Sequence, residues 1–403
     1  ALSIKNYIDV DEIANKVLAF RKHYEELATK TDKENYRKNF ISQYLSTFNN
    51  PEHNTKEYTD NIIRYMRITK YIYIRGKYGN TCIDLEPRRM VEINSILEND
   101  NGAATEFTKE EWIKYYGTYG SYDLPFDNVE KLTEIFNEIL TDINSLENKL
   151  NIERTVISCP SVKSEIKEAI VKLRTKRVGL QNLEIKFDYN NDLSKINEAI
   201  EALSNIRNLE LKPSIALEKW TNVALNIIND SLLIKPNSIV GDDNEPTFTA
   251  PAGVPDIECY YEDFNATCEV TMLSSRDQWC NEGQPVMRHL REFEDKNTDK
   301  DCYCLFIAPS IHQDTLNTYF TSVKYEYEGR KQKIIPITIK QLIKILETVA
   351  MFRAKNIEFK HLYIKQLYEN IINVAINGSS TEWKEQIPTV LSCWENDMQS
   401  LVA

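Results

Sequence analysis

The chain has 403 residues, of which 42% are hydrophobic and 27% charged, with a net charge of −12. These proportions suit a soluble globular protein of two or three domains, and no run of about eighteen apolar residues is present to cross a membrane. An acidic balance weighs against nucleic-acid binding, which draws its affinity from Lys and Arg on phosphates. The charge is uneven along the chain, however, and acidic metal sites contribute to it.

The eight cysteines form no CxxC pair, and the closest two, Cys302 and Cys304, lie in an apolar run. Free buried thiols in a reducing cytoplasm are the expectation. The five histidines have neither zinc-finger nor HExxH spacing, so structural zinc and zincin chemistry are set aside. The chain starts Ala1-Leu2-Ser3-Ile4 without a Met or a signal peptide, and it reads as beginning inside a folded unit.

Residues 1–118 read as short helices followed by a hairpin. Val10, Ile13, Val17 and Phe20 recur at helical spacing. The segment Arg64 to Tyr71 leads into Ile72-Tyr73-Ile74-Arg75, a turn at Gly76 to Asn80, and Cys82 to Leu85. Helices followed by a short basic hairpin are the pattern of a winged-helix domain, whose DNA contacts would fall to Arg64, Arg67, Lys70, Arg75 and Lys77. A solvated basic face is the plainer alternative.

Residues 119–212 read as a helical connector. Leu132, Ile135, Phe136, Ile139, Leu140, Ile143, Leu146 and Leu150 form one apolar stripe, which is core. A helix is expected over 161–178, carrying basic residues from Lys163 to Arg177 that would either meet phosphate or face solvent. Another is expected over 192–209, with Asp192 as its N-cap.

From Pro213 the pattern changes to strands alternating with helices, which indicates an α/β domain with a mixed sheet over 213–403. A helix is expected over 215–229 and a strand and turn over 232–240. A loop follows over 241–254, then a hairpin of Ile257 to Tyr261 and Phe264 to Cys268. An irregular segment over 272–283 is expected to precede a helix over 285–294. Cys302 to Ala308 is a continuous apolar run and reads as a buried central strand. Ser310 is expected to cap the next helix, Ile334 to Ile339 to form a strand, and the last sixty or so residues to be helical.

The hairpin brings Asp256 and Glu269, thirteen residues apart, to one end of the sheet. Two carboxylates there suit a hard cation such as Mg²⁺, with the Val270 carbonyl as a third protein ligand. Glu218, on a helix beside the sheet, would extend the acidic cluster. Glu282 would hold a second metal or position water, and His289 would contact phosphate or orient a carboxylate. Metal-assisted phosphodiester hydrolysis needs this set, so the chain reads as a DNA endonuclease. Each residue alone has a duller explanation: a turn cap for Asp256, exposed helix surface for Glu218 and Glu282, a structural histidine for His289. Glu269 is the exception, since an unpaired carboxylate in an apolar run is costly.

Asp256, Glu269-Val270-Thr271, Gln278, Glu282 and Pro285-Val286-Met287-Arg288-His289 resemble the cleavage domain of AlwI-type restriction endonucleases. Asp11-Glu12-Ile13-Ala14, Phe20-Arg21, Arg64-Tyr65-Met66-Arg67, Tyr115-Tyr116-Gly117 and Tyr303 to Pro309 extend the resemblance over most of the chain. These are type IIS enzymes, related to nicking endonucleases with GAGTC-like targets. The resemblance implies a PD-(D/E)XK nuclease fold within an α+β multidomain chain. It also implies Mg²⁺ bound by Asp256, Glu269 and Val270, with support from Glu218, Glu282 and His289. Cleavage would fall a few base pairs outside the target. The partners would be double-stranded DNA and, for double-strand cutting, a second nuclease subunit or a homodimer. Thr271 departs from the pattern, standing where the motif has Lys, so Glu282 or Gln278 would take the role of that amine. Family members are also longer at the amino terminus, where much of the target recognition would lie. Two alternatives remain open: a non-catalytic DNA-binding subunit with a vestigial nuclease fold, and a nuclease of repair or recombination.

Overall fold

The structure is a computed structural model that describes residues 10–44, 50–75, 82–99, 108–118, 124–191, 193–209, 211–228, 231–241 and 244–402. These fall into two compact units, one within residues 1–73 and 84–135, the other within 74–83 and 136–403. Among the described residues no helix is long and apolar enough to cross a membrane.

The first stretch is helical: α1 Val10–Glu26, α2 Lys30–Tyr44 and α3 Pro51–Thr69. Phe20 of α1 meets Tyr36 and Phe40 of α2 at ring-centroid distances of 5.1 and 4.6 Å, which packs the two helices together. Strands β1 Ile72–Arg75 and β2 Cys82–Leu85 pair as a two-stranded sheet. The turn expected at Gly76 to Asn80 lies outside the described residues. Helices α4 Met90–Asn99 and α5 Lys109–Gly117 follow. The latter begins in a capping box in which Thr108 and Glu111 satisfy each other's main-chain N–H groups.

Next come α6 Val129–Lys149 and α7 Lys163–Asn191. The stripe residues Ile139 and Ile143 of α6 are buried, as are Ile166, Ile170 and Leu173 of α7. The basic run on α7 is partly spent inside the protein. Arg177 is buried and donates to Asp142 at 2.8 Å, and Lys176 pairs with Glu147 at 2.8 Å. Helix α7 also runs past its expected end at 178. Gly179 costs a helix only about 1 kcal/mol, and Leu180 beyond it is buried.

Helices α8 Leu193–Ser204 and α9 Pro213–Ile228 lead into the sheet; the expected cap Asp192 lies outside the described residues. Strands β3 Leu233–Pro236, β4 Ile239–Val240, β5 Pro246–Phe248, β6 Ile257–Tyr260 and β7 Phe264–Val270 come next, then α10 Arg276–Lys296, β8 Asp301–Ala308, α11 Gln313–Lys324 and β9 Ile334–Thr338. The chain ends in α12 Ile339–Ala354, α13 His361–Asn377 and α14 Ser380–Val402. The main sheet has the order β3-β6-β7-β8-β9. The β3-β6 and β6-β7 pairs are antiparallel, whereas β7-β8 and β8-β9 are parallel. Each parallel step is crossed by a helix, α10 and then α11. β7 and β8 are buried almost throughout; β8 accordingly runs apolar without alternation from Cys302 to Ala308, whereas β7 alternates and buries Asn265, Thr267 and Glu269 as well. β4 and β5 pair apart from this sheet; β4 ends the segment expected as a strand and turn, whereas β5 lies inside what was expected as a loop.

Three boundaries differ from expectation. The unit boundary falls near residue 136 rather than 213, because Ile196, Ala199 and Leu203 of α8 belong to the same core as the sheet. Helix α10 starts at Arg276 rather than 285, with Ser275 capping it. Helix α11 is capped by His312 rather than Ser310. Cys259, Cys268, Cys302 and Cys304 are free thiols buried in the strands.

Trp383 and Trp394 pin α14, since both are buried and donate to carbonyls of α13 residues, Ile371 at 2.9 Å and Tyr363 at 2.8 Å. Trp383→Ala is expected to cost about 3–5 kcal/mol in urea unfolding. Val156→Ala, at a position 87% exposed, should stay within about 0.5 kcal/mol of wild type.

Candidate active site

Ile257 pairs with Cys268 across the β6-β7 hairpin. Asp256 and Glu269 therefore stand one step further along, together at the same end of the sheet. The carboxylate of Asp256 is held, because its Oδ2 accepts the main-chain N–H of Val270 at 2.8 Å. Asn237, between β3 and β4, holds the main chain behind it. Its N–H donates to the Asp256 carbonyl at 2.9 Å and its Nδ2 to the Pro255 carbonyl at 2.8 Å. Sequence reading missed Asn237, which sits in a polar turn and resembles an ordinary turn residue. Gly253, at φ +89°, turns the chain into Val254-Pro255-Asp256, a conformation that favours glycine.

Glu269 lies inside β7, opposite Phe306 of β8, and is 6% exposed. Its Oε1 is 2.9 Å from Nδ1 of His289. His289 and Glu282 are both on α10 and are seven residues apart. Two turns of helix place them on one face. Glu282 is thus helical rather than in a loop, and His289 is well inside the helix rather than near its start. Pro285 between them is accommodated because Asn281, whose carbonyl loses a helical bond, is exposed. Glu218 of α9 is buried, and its Oε2 accepts the N–H of Ala250 at 3.1 Å.

The electrostatics show that these groups converge. Burial pushes up the pKa of all four carboxyls, and in three of them neighbouring acids push it further. Glu218 is raised to about 9 by burial and by the charge of Asp256. Asp256 is raised by burial, then by Glu269 and Glu282. Glu269 is raised by burial, then by Glu282 and Glu218. Burial also raises Glu282, against a hydrogen bond with Thr271 and the charge of His289. His289 is lowered, first by burial and then by Arg288. Its Nε2 is buried with no hydrogen-bond partner.

Gln278 makes different contacts from those the sequence suggested. It is fully buried, and its Nε2 donates to the carbonyls of Leu273 and Ser310 at 2.7 and 2.8 Å. Its Oε1 accepts the N–H of His312 at 2.7 Å. The amide is therefore spent on stapling the loop after β7 to the loop after β8. Glu282, bonded to Thr271 at the expected Lys position, is the group left beside the cluster.

Among the described residues, no three His, Cys, Asp or Glu side chains are disposed to hold a metal ion by themselves. A site of two carboxylates completed by a main-chain carbonyl does not need three. The residues present fit a hard cation, because four acids converge and none of them pairs with a Lys or Arg. Oxygen donors and clustered negative charge suit Mg²⁺ or Ca²⁺.

Residues 1–345 match the sequence profile of the AlwI restriction endonuclease family. The chain belongs to the AlwI restriction endonuclease family. This is a family of deoxyribonucleases, so its substrate is DNA. No curated protein matches the chain. Among solved structures, the small subunit of the heterodimeric restriction endonuclease R.BspD6I is similar. The TM-score is 0.41 at 21% identity, over 50% of this chain and 98% of that one.

Of the residues expected to touch DNA, Arg64, Arg67 and Lys70 lie in the other unit, whereas Arg75 falls within 74–83, grouped with the sheet-bearing unit. Arg64 and Arg67 are on α3, and Arg75 ends β1; their side chains are outside the described residues, as is the whole of Lys77. Lys70 follows α3, is exposed, and has φ 59°, the left-handed conformation that often ends a helix.

In this AlwI-family chain the raised carboxyls govern stability against pH. Glu218 keeps its proton in the folded state from its ordinary 4.5 up to about 9, so stability falls as pH rises through that window. Metal-free Glu218→Gln should match wild type near pH 4.5 and exceed it near pH 9 by roughly 1–3 kcal/mol. Urea unfolding at the two pH values checks this, and equal differences at both would count against the buried cluster.

Proposed function

We propose that this chain is a Mg²⁺-dependent type IIS restriction or nicking endonuclease. It would hydrolyse a DNA phosphodiester bond at a short offset from an asymmetric, GAGTC-like target, in the cytoplasm. The observation that carries this reading is the convergence of Asp256, Glu269, Glu282 and Glu218 at one end of a mixed sheet, in a chain of a restriction endonuclease family. We read the sheet-bearing unit as a PD-(D/E)XK nuclease domain and the amino-terminal helices with their strand pair as a winged-helix-like DNA-binding region.

Asp256, Glu269 and the Val270 carbonyl are the groups that would hold the metal. When bound, Mg²⁺ supplies a Lewis acid that activates water and offsets charge developing on the phosphate. The protein's own groups do the rest. His289 fixes Glu269 through Nδ1, and Asn237 and Val270 fix Asp256. Glu282 takes the proton from the attacking water, the task that the motif Lys would otherwise share; burial raises its pKa, which makes it a stronger base than an exposed carboxylate. Glu218, which keeps its proton up to about pH 9 without metal, would give that proton up to balance the charge of a bound cation. One such site handles one phosphodiester, so a lone chain nicks and a paired one cuts both strands.

Supercoiled plasmid with this protein and Mg²⁺ should give open circles, and EDTA should prevent them; linear product would indicate paired catalytic domains. Glu269→Ala should lower cleavage by more than about 100-fold while DNA binding persists, since loss of a residue that merely supports a ligand already costs about 10–100-fold. Substantial turnover by Glu269→Ala would mean that the metal lies elsewhere. Asn237→Ala, which leaves every acid in place, should cost about 10–100-fold and be partly rescued by higher Mg²⁺. A loss that no Mg²⁺ concentration relieves would show that Asn237 does not act through Asp256.

A further inference from the structure

A cleft of about 280 Å³ opens between the outer face of β6 and helix α10. Its wall is shared with the acidic cluster, since Pro255 and His289 line it. Pro255 adjoins Asp256, and His289 touches Glu269. Whatever occupies the cleft is therefore joined to, or next to, the group that reacts.

The lining says what kind of group fits. Tyr260 and Phe293 lie at its side with ring centroids 5.8 Å apart. Glu258 also lines it. Its oxygens are already engaged, accepting hydrogen bonds from Tyr260 at 2.7 Å and from Asn237 and Lys235 at 3.1 Å. Glu292 adds a second acid, and Lys296 and His289 are the basic residues among those that line the cleft. A phosphate would be repelled here, whereas a flat uncharged ring would rest on the aromatic side chains. The volume is near the lower end of ligand pockets, which begin at about 300 Å³. That is room for one base and not for a duplex.

We infer that this cleft holds the unstacked base of a nucleotide flanking the scissile phosphate. The inference rests on the nuclease reading above and deepens it. Stacking would hold the base, which makes the subsite tolerant of base identity. The unpartnered, buried Nε2 of His289 stands where the nucleotide enters. Seating the base orients the sugar-phosphate bond toward Asp256 and Glu269, while target selection stays with the other unit.

The test uses an oligonucleotide duplex spanning the mapped cut, with an abasic residue placed in turn at each nucleotide flanking it. Wild type should cut the duplex lacking the seated base about 5- to 150-fold more slowly, the range that aromatic stacking supports. Val254→Trp fills the cleft from a position 38% exposed, so it should fold normally. It should cut the intact duplex slowly and be indifferent to the abasic residue. A 2-aminopurine at the same nucleotide should change its fluorescence on binding to Glu269→Ala with Ca²⁺, and lose that change when Val254→Trp is added. Wild-type cleavage that is equal on every abasic duplex would overturn the cleft assignment and leave the nuclease reading standing. No cleavage of any DNA with Mg²⁺ or Mn²⁺ would overturn both.

Discussion

Four carboxyl groups gathered at one end of a sheet, Glu218 and Glu269 buried and Asp256 and Glu282 half-buried, with no Lys or Arg among the described residues paired to them, set the terms for the rest of the fold. Each would be more stable in water or beside a cation. The hydrogen bonds they accept do not offset this. Asp256 takes the N–H of Val270 and Glu218 takes that of Ala250, yet both remain raised. A hydrogen bond to a charged group is worth about 1.5–3 kcal/mol, and here burial together with like charge outweighs it. The cluster persists because its backbone is fixed by the core and not because its members attract one another.

That fixing can be traced residue by residue. β7 pairs with β8 along its whole length and with β6 up to Cys268, the fully buried residue beside Glu269. Moving Glu269 away would slip the register and turn the whole strand inside out. Helix α10 carries Glu282 and His289, and Gln278 secures its first turn to two loops at once. Tyr319 of α11 donates to the carbonyl of Glu282 at 3.1 Å, which ties the next turn down. The acids are thus presented by rigid elements, and the hydrogen bonds of Asn237, Gln278 and His289 set their orientation.

The sequence made some of this legible and hid the rest for physical reasons. The hairpin could be read because its spacing, its apolar strands and its polar turn all pointed the same way, and Asp256 with Glu269 followed from it. The buried strand β8 announced itself as an unbroken apolar run. Helix α10 was read short because Pro285 looks like a helix start, although only the exposed Asn281 carbonyl loses a bond to it. Gln278 was taken for a chemical group because one sequence cannot show that its amide is consumed by three main-chain partners. Asn237 was invisible because its importance lies in two carbonyls, those of Pro255 and Asp256, far along the chain, and turn polarity gives no hint of them. Strands β4 and β5 are too short for any periodicity to emerge.

The chain's net charge of −12, which first weighed against a DNA-binding protein, takes on a different meaning at the site. Without a cation, Asp256, Glu269, Glu282 and Glu218 repel a phosphate as they repel each other, and protons are the means by which they relieve the strain. On the proposed metal-dependent reading, a divalent cation would make the same four groups its counter-charge and let phosphate approach. Sequence-independent affinity would then come from basic side chains elsewhere, while the acids decide only whether chemistry is possible. Separating these roles would let the chain stay acidic overall and make cleavage conditional on the metal, even where DNA is already bound.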